Sequence, residues 1–78
     1  VRQIRLSPNP TTGLLALSGV EDLEGKASYT LVNAMGQPVQ QGLVHARLDL
    51  SRHPNGLYVL LIRMPGGSIW SEKVVLAR

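Results

Sequence analysis

Apolar and polar residues alternate with a period of two along most of this chain, and short segments rich in Gly and Pro interrupt the alternation. The densest apolar run is residues 57–62, which follows the turn signal Pro54-Asn55-Gly56. Because strand side chains alternate between two faces, both faces of this run are apolar. We therefore expect a central strand, covered on one face by a second sheet and on the other by a loop, a terminus or a partner.

The same pattern predicts six further strands, over residues 1–6, 14–17, 27–33, 37–41, 43–50 and 68–77. Pro38 has no N–H, which favours a sheet edge for the fourth of these seven strands. Gly42 is expected to reverse the chain before residues 43–50, whose inward residues are Val44, Ala46, Leu48 and Leu50. Residues 64–67 are a hairpin turn that pairs the last strand with the central one. Residues 19–26 are expected to be an exposed loop or a short turn of helix on the solvated surface.

No segment has a helical apolar period, so the fold class is all-β. Seven short strands separated by Gly and Pro turns are typical of a small antiparallel sandwich or an open barrel. We favour a β-sandwich.

The composition limits how this fold is stabilised and what chemistry it carries. Seventy-eight residues suit a single domain, here residues 1–78, and the absence of Cys and Phe leaves Leu, Val and Ile to form the core. Without Cys there is no thiol nucleophile, cysteine zinc site or iron–sulfur cluster. The sequence has no initiator Met, signal peptide or transmembrane run. We expect a piece of a longer polypeptide, with no membrane-spanning segment and no cofactor.

Charge and polar residues do not indicate nucleic-acid binding or a metal site. The net charge is +3, but the basic residues are scattered along the chain. Of the aromatic residues Tyr29, Tyr58 and Trp70, two lie in predicted core runs, where they could not stack on bases. His45 and His53 lack the spacing that gives two metal ligands from one element.

Asp49, Ser51 and His53 are the residue types of a hydrolase triad, but their order argues against catalysis. In an extended chain Ser would lie between the other two, whereas the triad needs the imidazole in the middle. We expect Asp49 or Ser51 to bond the backbone of the following turn, with Arg52 and His53 solvated. The sequence indicates no enzyme.

Three turn motifs, in this order, resemble those of the type A C-terminal sorting domain of the type IX secretion system. Residues 7–13, Ser-Pro-Asn-Pro-Thr-Thr-Gly, resemble its Pro-Asn-Pro-x-x-Gly opening. Residues 33–39, Asn-Ala-Met-Gly-Gln-Pro-Val, resemble its Asp/Asn-x-x-Gly-x-x-Val turn, and residues 54–58, Pro-Asn-Gly-Leu-Tyr, its Leu-Pro-x-Gly-x-Tyr turn. Residues 73–76, Lys-Val-Val-Leu, resemble the ending of these domains. His53 departs from the family pattern, which has Leu there.

The resemblance implies an immunoglobulin-like sandwich that follows an N-terminal cargo domain in the same chain. It also implies export through the periplasm to the outer membrane, cell surface or medium, in the manner of secreted Bacteroidota proteins. The implied partners are the type IX translocon and a sortase-like peptidase that removes the domain. The recognition and turn residues carried over are Pro8, Asn9, Pro10, Gly13, Asn33, Gly36, Val39, Pro54, Gly56, Tyr58, Lys73, Val74 and Val75.

Alternatives stay open at this point. The recognised surface is expected on the hairpin over residues 56–76, yet Gly36, Pro54 and Gly56 could equally serve the fold alone. A β-sandwich of this size could instead be an accessory module that binds carbohydrate or a neighbouring domain, with Trp70 as its displayed aromatic, or a passive spacer.

Overall fold

The computed structural model describes residues 3–78 as two antiparallel sheets without a helix. One sheet has three strands in the order β1-β2-β5, and the other has four in the order β4-β3-β6-β7. The prediction of an all-β sandwich is confirmed. The strands are β1 (Arg5–Ser7), β2 (Leu14–Ser18), β3 (Ser28–Asn33), β4 (Pro38–Leu43), β5 (Arg47–Asp49), β6 (Gly56–Arg63) and β7 (Ile69–Leu76).

The hydrophobic core lies between the two sheets and follows from the alternation of each strand. Leu15 of β2, Leu31 of β3 and Leu60 of β6 have no accessible surface. All buried hydrophobic residues except Ala27 and Tyr58 are Leu, Val or Ile, as the composition predicted. The others are Ile4, Leu6, Leu17, Val20, Leu23, Val44, Leu48, Leu50, Ile62, Val74 and Leu76.

Strand β6 is central, but its two faces are not equally buried. It pairs with β3 on one side and with β7 on the other, as expected. Tyr58, Leu60 and Ile62 point into the core. The outer face is covered by no segment among residues 3–78: Val59 and Leu61 are half-buried, and Leu57 is 44% exposed. The expected cover by a loop or a terminus is therefore wrong for this part of the chain, whereas cover by a partner stays a prediction.

Glycine 42 does not reverse the chain. It lies within β4 opposite Tyr29, and a Cβ atom there would come 3.1 Å from Cε1 of that ring. The glycine serves the close approach of Tyr29 rather than a turn. The edge position predicted for this strand is confirmed.

The predicted strand over residues 43–50 is wrong in length. Leu43 ends β4, only Arg47–Asp49 forms a strand of its own, and Ala46 is exposed instead of inward. The reason is that residues 44–46 pass from one sheet to the other. The N–H of Val44 donates to Ala27 O at the end of the larger sheet, while the N–H of Leu17 in the smaller sheet donates to Ala46 O.

Two further expectations need adjustment near the N-terminus. Strand β1 ends at Ser7, and the first two residues of the strand predicted over residues 1–6 lie outside the described residues. Residues 19–26 form turns, as expected, but Val20 and Leu23 within them are buried in the core. No helix among residues 3–78 has the length and apolar character needed to cross a membrane.

Candidate recognition site

The first motif lies along the edge of β7 that does not pair with β6. Asn9 uses its side-chain amide as a strand would use its backbone: Nδ2 donates to Lys73 O at 2.9 Å, and Oδ1 accepts the N–H of Val75 at 3.0 Å. Two residues on, the N–H of Thr11 donates to Val75 O and the N–H of Ala77 donates to Thr11 O. The sequence predicted only a turn here, but residues 9–11 also bond to β7 across 66 positions of sequence.

Thr11 was not among the predicted site residues, although it anchors this motif. It is the one buried polar residue of the described chain, with no accessible surface. Its hydroxyl donates to Leu14 O at 2.9 Å and accepts the N–H of Gly13 at 3.1 Å, so no polar atom of the side chain is left without a partner. A β-branched hydroxyl residue two positions before a turn glycine was the available sequence signal.

Replacing Asn9 with alanine is expected to lower the free energy of unfolding by about 1 kcal/mol, because two hydrogen bonds to β7 are lost at an exposed position. The amide of Val75 should then exchange with solvent faster, since its acceptor is gone. Thr12→Ala, an exposed neighbour, is the control and should change neither quantity. Unaltered exchange at Val75 in Asn9→Ala would contradict the contact.

The second motif is an Asx turn built by Asn33. Its Oδ1 accepts the N–H groups of Met35 and Gln37, both at 3.0 Å, and the N–H of Gly36 donates to Asn33 O. Gly36 has φ +81° with open space around it, so glycine is required here by backbone conformation and not by crowding.

The third motif holds the end of the chain. The hydroxyl of Tyr58 donates to Pro54 O at 2.6 Å and closes the turn. Asn55 Oδ1 accepts the backbone N–H of Arg78 at 3.1 Å, and the Arg78 guanidinium donates to Ser51 O and His53 O. Neither Asn55 nor Arg78 was singled out in the sequence, because a contact between the last residue and a turn leaves no local pattern.

The motifs meet at one end of the four-stranded sheet. Asn33 ends β3 opposite Tyr58, and Gly56 begins β6 opposite Leu76. The second and third turns line an open groove of about 220 Å³, and the first motif lies beside the same end of β7. We call this surface the motif end, comprising residues 8–11, 33–36, 54–58 and 73–78.

The three turns and the last strand lie within the residues that match a known family. The family model of the secretion system C-terminal sorting domain matches residues 5–77, which is nearly the whole chain. This chain belongs to that family. It is a type IX secretion C-terminal sorting domain, from a family of secretion signals, and the resemblance found in the motifs is confirmed. Among curated proteins, none matches the chain.

The residues carried over from the family differ in how much of them a partner could reach. Val74 and Tyr58 of the sorting domain are buried in the core, and Gly13 packs against Ser51. The exposed ones are Pro8, Asn9, Pro10, Gly36, Val39, Pro54, Gly56, Lys73 and Val75, while Asn33 is half-buried. Direct contact with another protein is therefore open to the exposed set.

The Asp49, Ser51 and His53 segment of the sorting domain is a structural turn. The N–H of Ser51 donates to Asp49 Oδ1 at 2.9 Å, as predicted from the sequence. Hydrogen bonds from the Ser51 hydroxyl and N–H lower the pKa of the Asp49 carboxyl below its ordinary value of 3.8. Among residues 3–78, no group of three His, Asp or Glu side chains comes together in a way that could hold a metal ion.

His53 corrects one expectation, since it is not simply solvated. It is half-buried, its Nε2 lies 2.7 Å from Gln40 Oε1, and its ring centroid lies 5.9 Å from that of Tyr58. Gln40 in turn donates to the Tyr29 hydroxyl at 2.9 Å. The residue that departs from the family pattern therefore joins a polar network between β4 and the turn before β6.

Trp70 is not displayed as a ligand platform. It lies in β7 opposite Ile62 of β6, is half-buried and packs against the core. Tyr29, the other half-buried aromatic residue, packs against the core as well. A carbohydrate-binding module needs an exposed aromatic face, so the sorting domain offers little support for that alternative.

Proposed function

We propose that this domain is the address by which the type IX translocon recognises a cargo protein in the same chain and carries it from the periplasm across the outer membrane. A sortase-like peptidase at the cell surface then removes the domain. The observation that supports recognition is the motif end: the side-chain amides of Asn9 and Asn55 join the first and third turns to residues 73–78, and that of Asn33 closes the second turn.

The motif end offers a receptor a defined surface. Asn9, Asn33 and Asn55 each bond backbone groups with their amide oxygen, so the exposed backbone of these turns has one conformation. A receptor that binds a preorganised surface loses less conformational entropy than one that must order its ligand. Lys73 is exposed beside Asn9 and supplies a cationic group on this surface.

A secretion assay tests the proposal. Residues 1–78 are placed at the C-terminus of a reporter that carries an inner-membrane signal peptide, in strains with and without a working translocon. We expect release that requires both the domain and the translocon. Release without the translocon, or retention of a folded fusion in both strains, would contradict the sorting role.

Two variants that each remove one positive charge separate an effect on recognition from an effect on folding. Lys73→Ala alters the motif end, whereas Arg47→Ala removes an equally cationic, exposed strand residue from the smaller sheet. We expect Lys73→Ala to lower release several-fold and Arg47→Ala to leave it unchanged, with unfolding temperatures alike. The mass of the released reporter, with and without the peptidase, tests removal of the domain.

A further inference from the structure

The two edges of the four-stranded sheet are treated differently by the chain. At β7, the edge groups of Lys73, Val75 and Ala77 bond to Asn9 and Thr11. At β4, no described segment makes a backbone hydrogen bond to the outward N–H and C=O groups of the edge. Natural proteins cover or charge an edge strand because its unpaired N–H and C=O groups invite pairing with another chain. Strand β4 (Pro38–Leu43) has no charged side chain at all.

The register identifies which groups of β4 are unpaired. The N–H of Val44 donates to Ala27 O, so this pair and every second pair after it are hydrogen-bonded across β3 and β4. Gly42 and Gln40 therefore bond to β3. The N–H and C=O groups of Gln41 and Leu43 point away from the sheet, and Leu43 is 53% exposed.

Open grooves flank this edge on both faces of the sheet. On the outer face, a groove of about 430 Å³ is lined by uncharged residues, among them Thr30, Gln41 and Leu43. On the inner face, a groove of about 440 Å³ is lined by Val39 and otherwise by polar and charged residues, among them Asp49 and Arg52. A strand laid on the edge would place alternate side chains in the two grooves.

We propose that β4 receives an extended segment of the type IX secretion machinery, which adds to the four-stranded sheet as a fifth strand. This inference rests on the proposed function and names the edge and the chemistry of its partner. The segment carries uncharged side chains toward the outer groove and a large polar or charged side chain toward the inner groove. Backbone hydrogen bonds to Gln41 and Leu43 supply the pairing.

A second copy of this chain fits the edge less well. Antiparallel pairing of two β4 strands about Gln41 would place Gly42 of the copy opposite Gln40. Gly42 has no side chain, and the Gln40 amide already bonds to the Tyr29 hydroxyl, Asp49 O and His53. Neither residue fills the inner groove, so a partner with a long polar side chain is the better match.

The decisive variant removes one edge donor and leaves the ladder intact. Gln41→Pro deletes an N–H that points away from β3, a position where edge strands tolerate proline. Gln41→Ala removes the same side chain and keeps the N–H. In the reporter fusion we expect Gln41→Pro to be released about tenfold less than Gln41→Ala, with similar unfolding temperatures.

A second pair keeps the test valid if the proline variant does not fold. Leu43→Lys places a charge on the edge strand β4. Leu14→Lys places a charge on β2, where Leu14 is similarly exposed, at 54%. We expect lower release only for Leu43→Lys. Equal release within both pairs would overturn strand addition and leave the sorting role standing. Failure of the unsubstituted fusion to be released would contradict both the sorting role and strand addition.

Sedimentation of the unsubstituted chain provides the remaining outcome. We expect a monomer at the concentrations used for unfolding measurements. A dimer that Gln41→Pro dissociates and Gln41→Ala does not would show that the edge serves a second copy, and it would overturn the proposed partner.

Discussion

Leu60→Ala is expected to lower the free energy of unfolding by about 3 kcal/mol, the typical cost of deleting a buried leucine side chain. Leu60 has no accessible surface and lies in the centre of β6, with Leu31 opposite it on β3. A domain of this size has a total stability of about 5–10 kcal/mol, so the loss is a large share of it. Denaturant unfolding, followed by the fluorescence of Trp70, measures the change.

Leu57→Ala is the matched control for this prediction. It changes the same residue type in the same strand, but its side chain points to the outer face and is 44% exposed. We expect the free energy of unfolding to fall by less than about 1 kcal/mol. The Leu57 side chain buries less apolar surface on folding than Leu60 does, and its removal leaves no closed cavity. Equal losses in the two variants would mean that the strand faces are assigned wrongly.

Gly19→Ala is expected to destabilise the domain by at least about 3 kcal/mol, a large share of its total stability. Gly19 has φ +80°, and a Cβ atom at this position would overlap the carbonyl oxygen of Gln3. The left-handed conformation costs a residue with a side chain about 1–2 kcal/mol, and the overlap adds the displacement of a backbone segment beside β1. Thermal unfolding of the variant measures the combined loss of stability from the two contributions.

Gly25→Ala separates the two contributions. Its φ of +72° imposes a similar backbone cost, but nothing lies within 4 Å of the added methyl group. We expect a loss of about 1 kcal/mol, from the conformation alone. A Gly19→Ala variant no less stable than Gly25→Ala would refute the close approach of residues 3 and 19.

Strand positions and the faces of most strands could be predicted from the sequence. The alternation over residues 68–77 was sufficient to indicate a buried face, because its period reports that burial directly. Residues 14–17 and 57–62 are apolar at every position, so the sequence predicted these strands but not which of their faces is the more exposed. The prediction failed at Gly42 and at residues 44–46. Glycine is compatible with both a turn and a close approach, and a crossing between sheets has no period of its own.

The candidate site was predictable as separate turns but not as one surface. Asn33 builds its turn from residues within four positions, so the local motif reported it. Asn9 and Asn55 bond to residues 66 and 23 positions away, and no local pattern reports such a partner. Arg78 and Gln40 were missed for the same reason, whereas the side chain of Thr11 bonds Gly13 and Leu14 and had a local signal.

The sequence by itself determined that the chain is all-β, where most of its turns fall and which family it belongs to. These follow from local physics, since Pro and Gly restrict backbone conformation and side-chain alternation selects a buried face. Only the tertiary structure decided that residues 9–11 cover one edge of the larger sheet from Lys73 onward, while the edge at β4 is open. That outcome depends on which distant segments pack together, because a strand's unpaired groups are the same in sequence whether or not another segment reaches them.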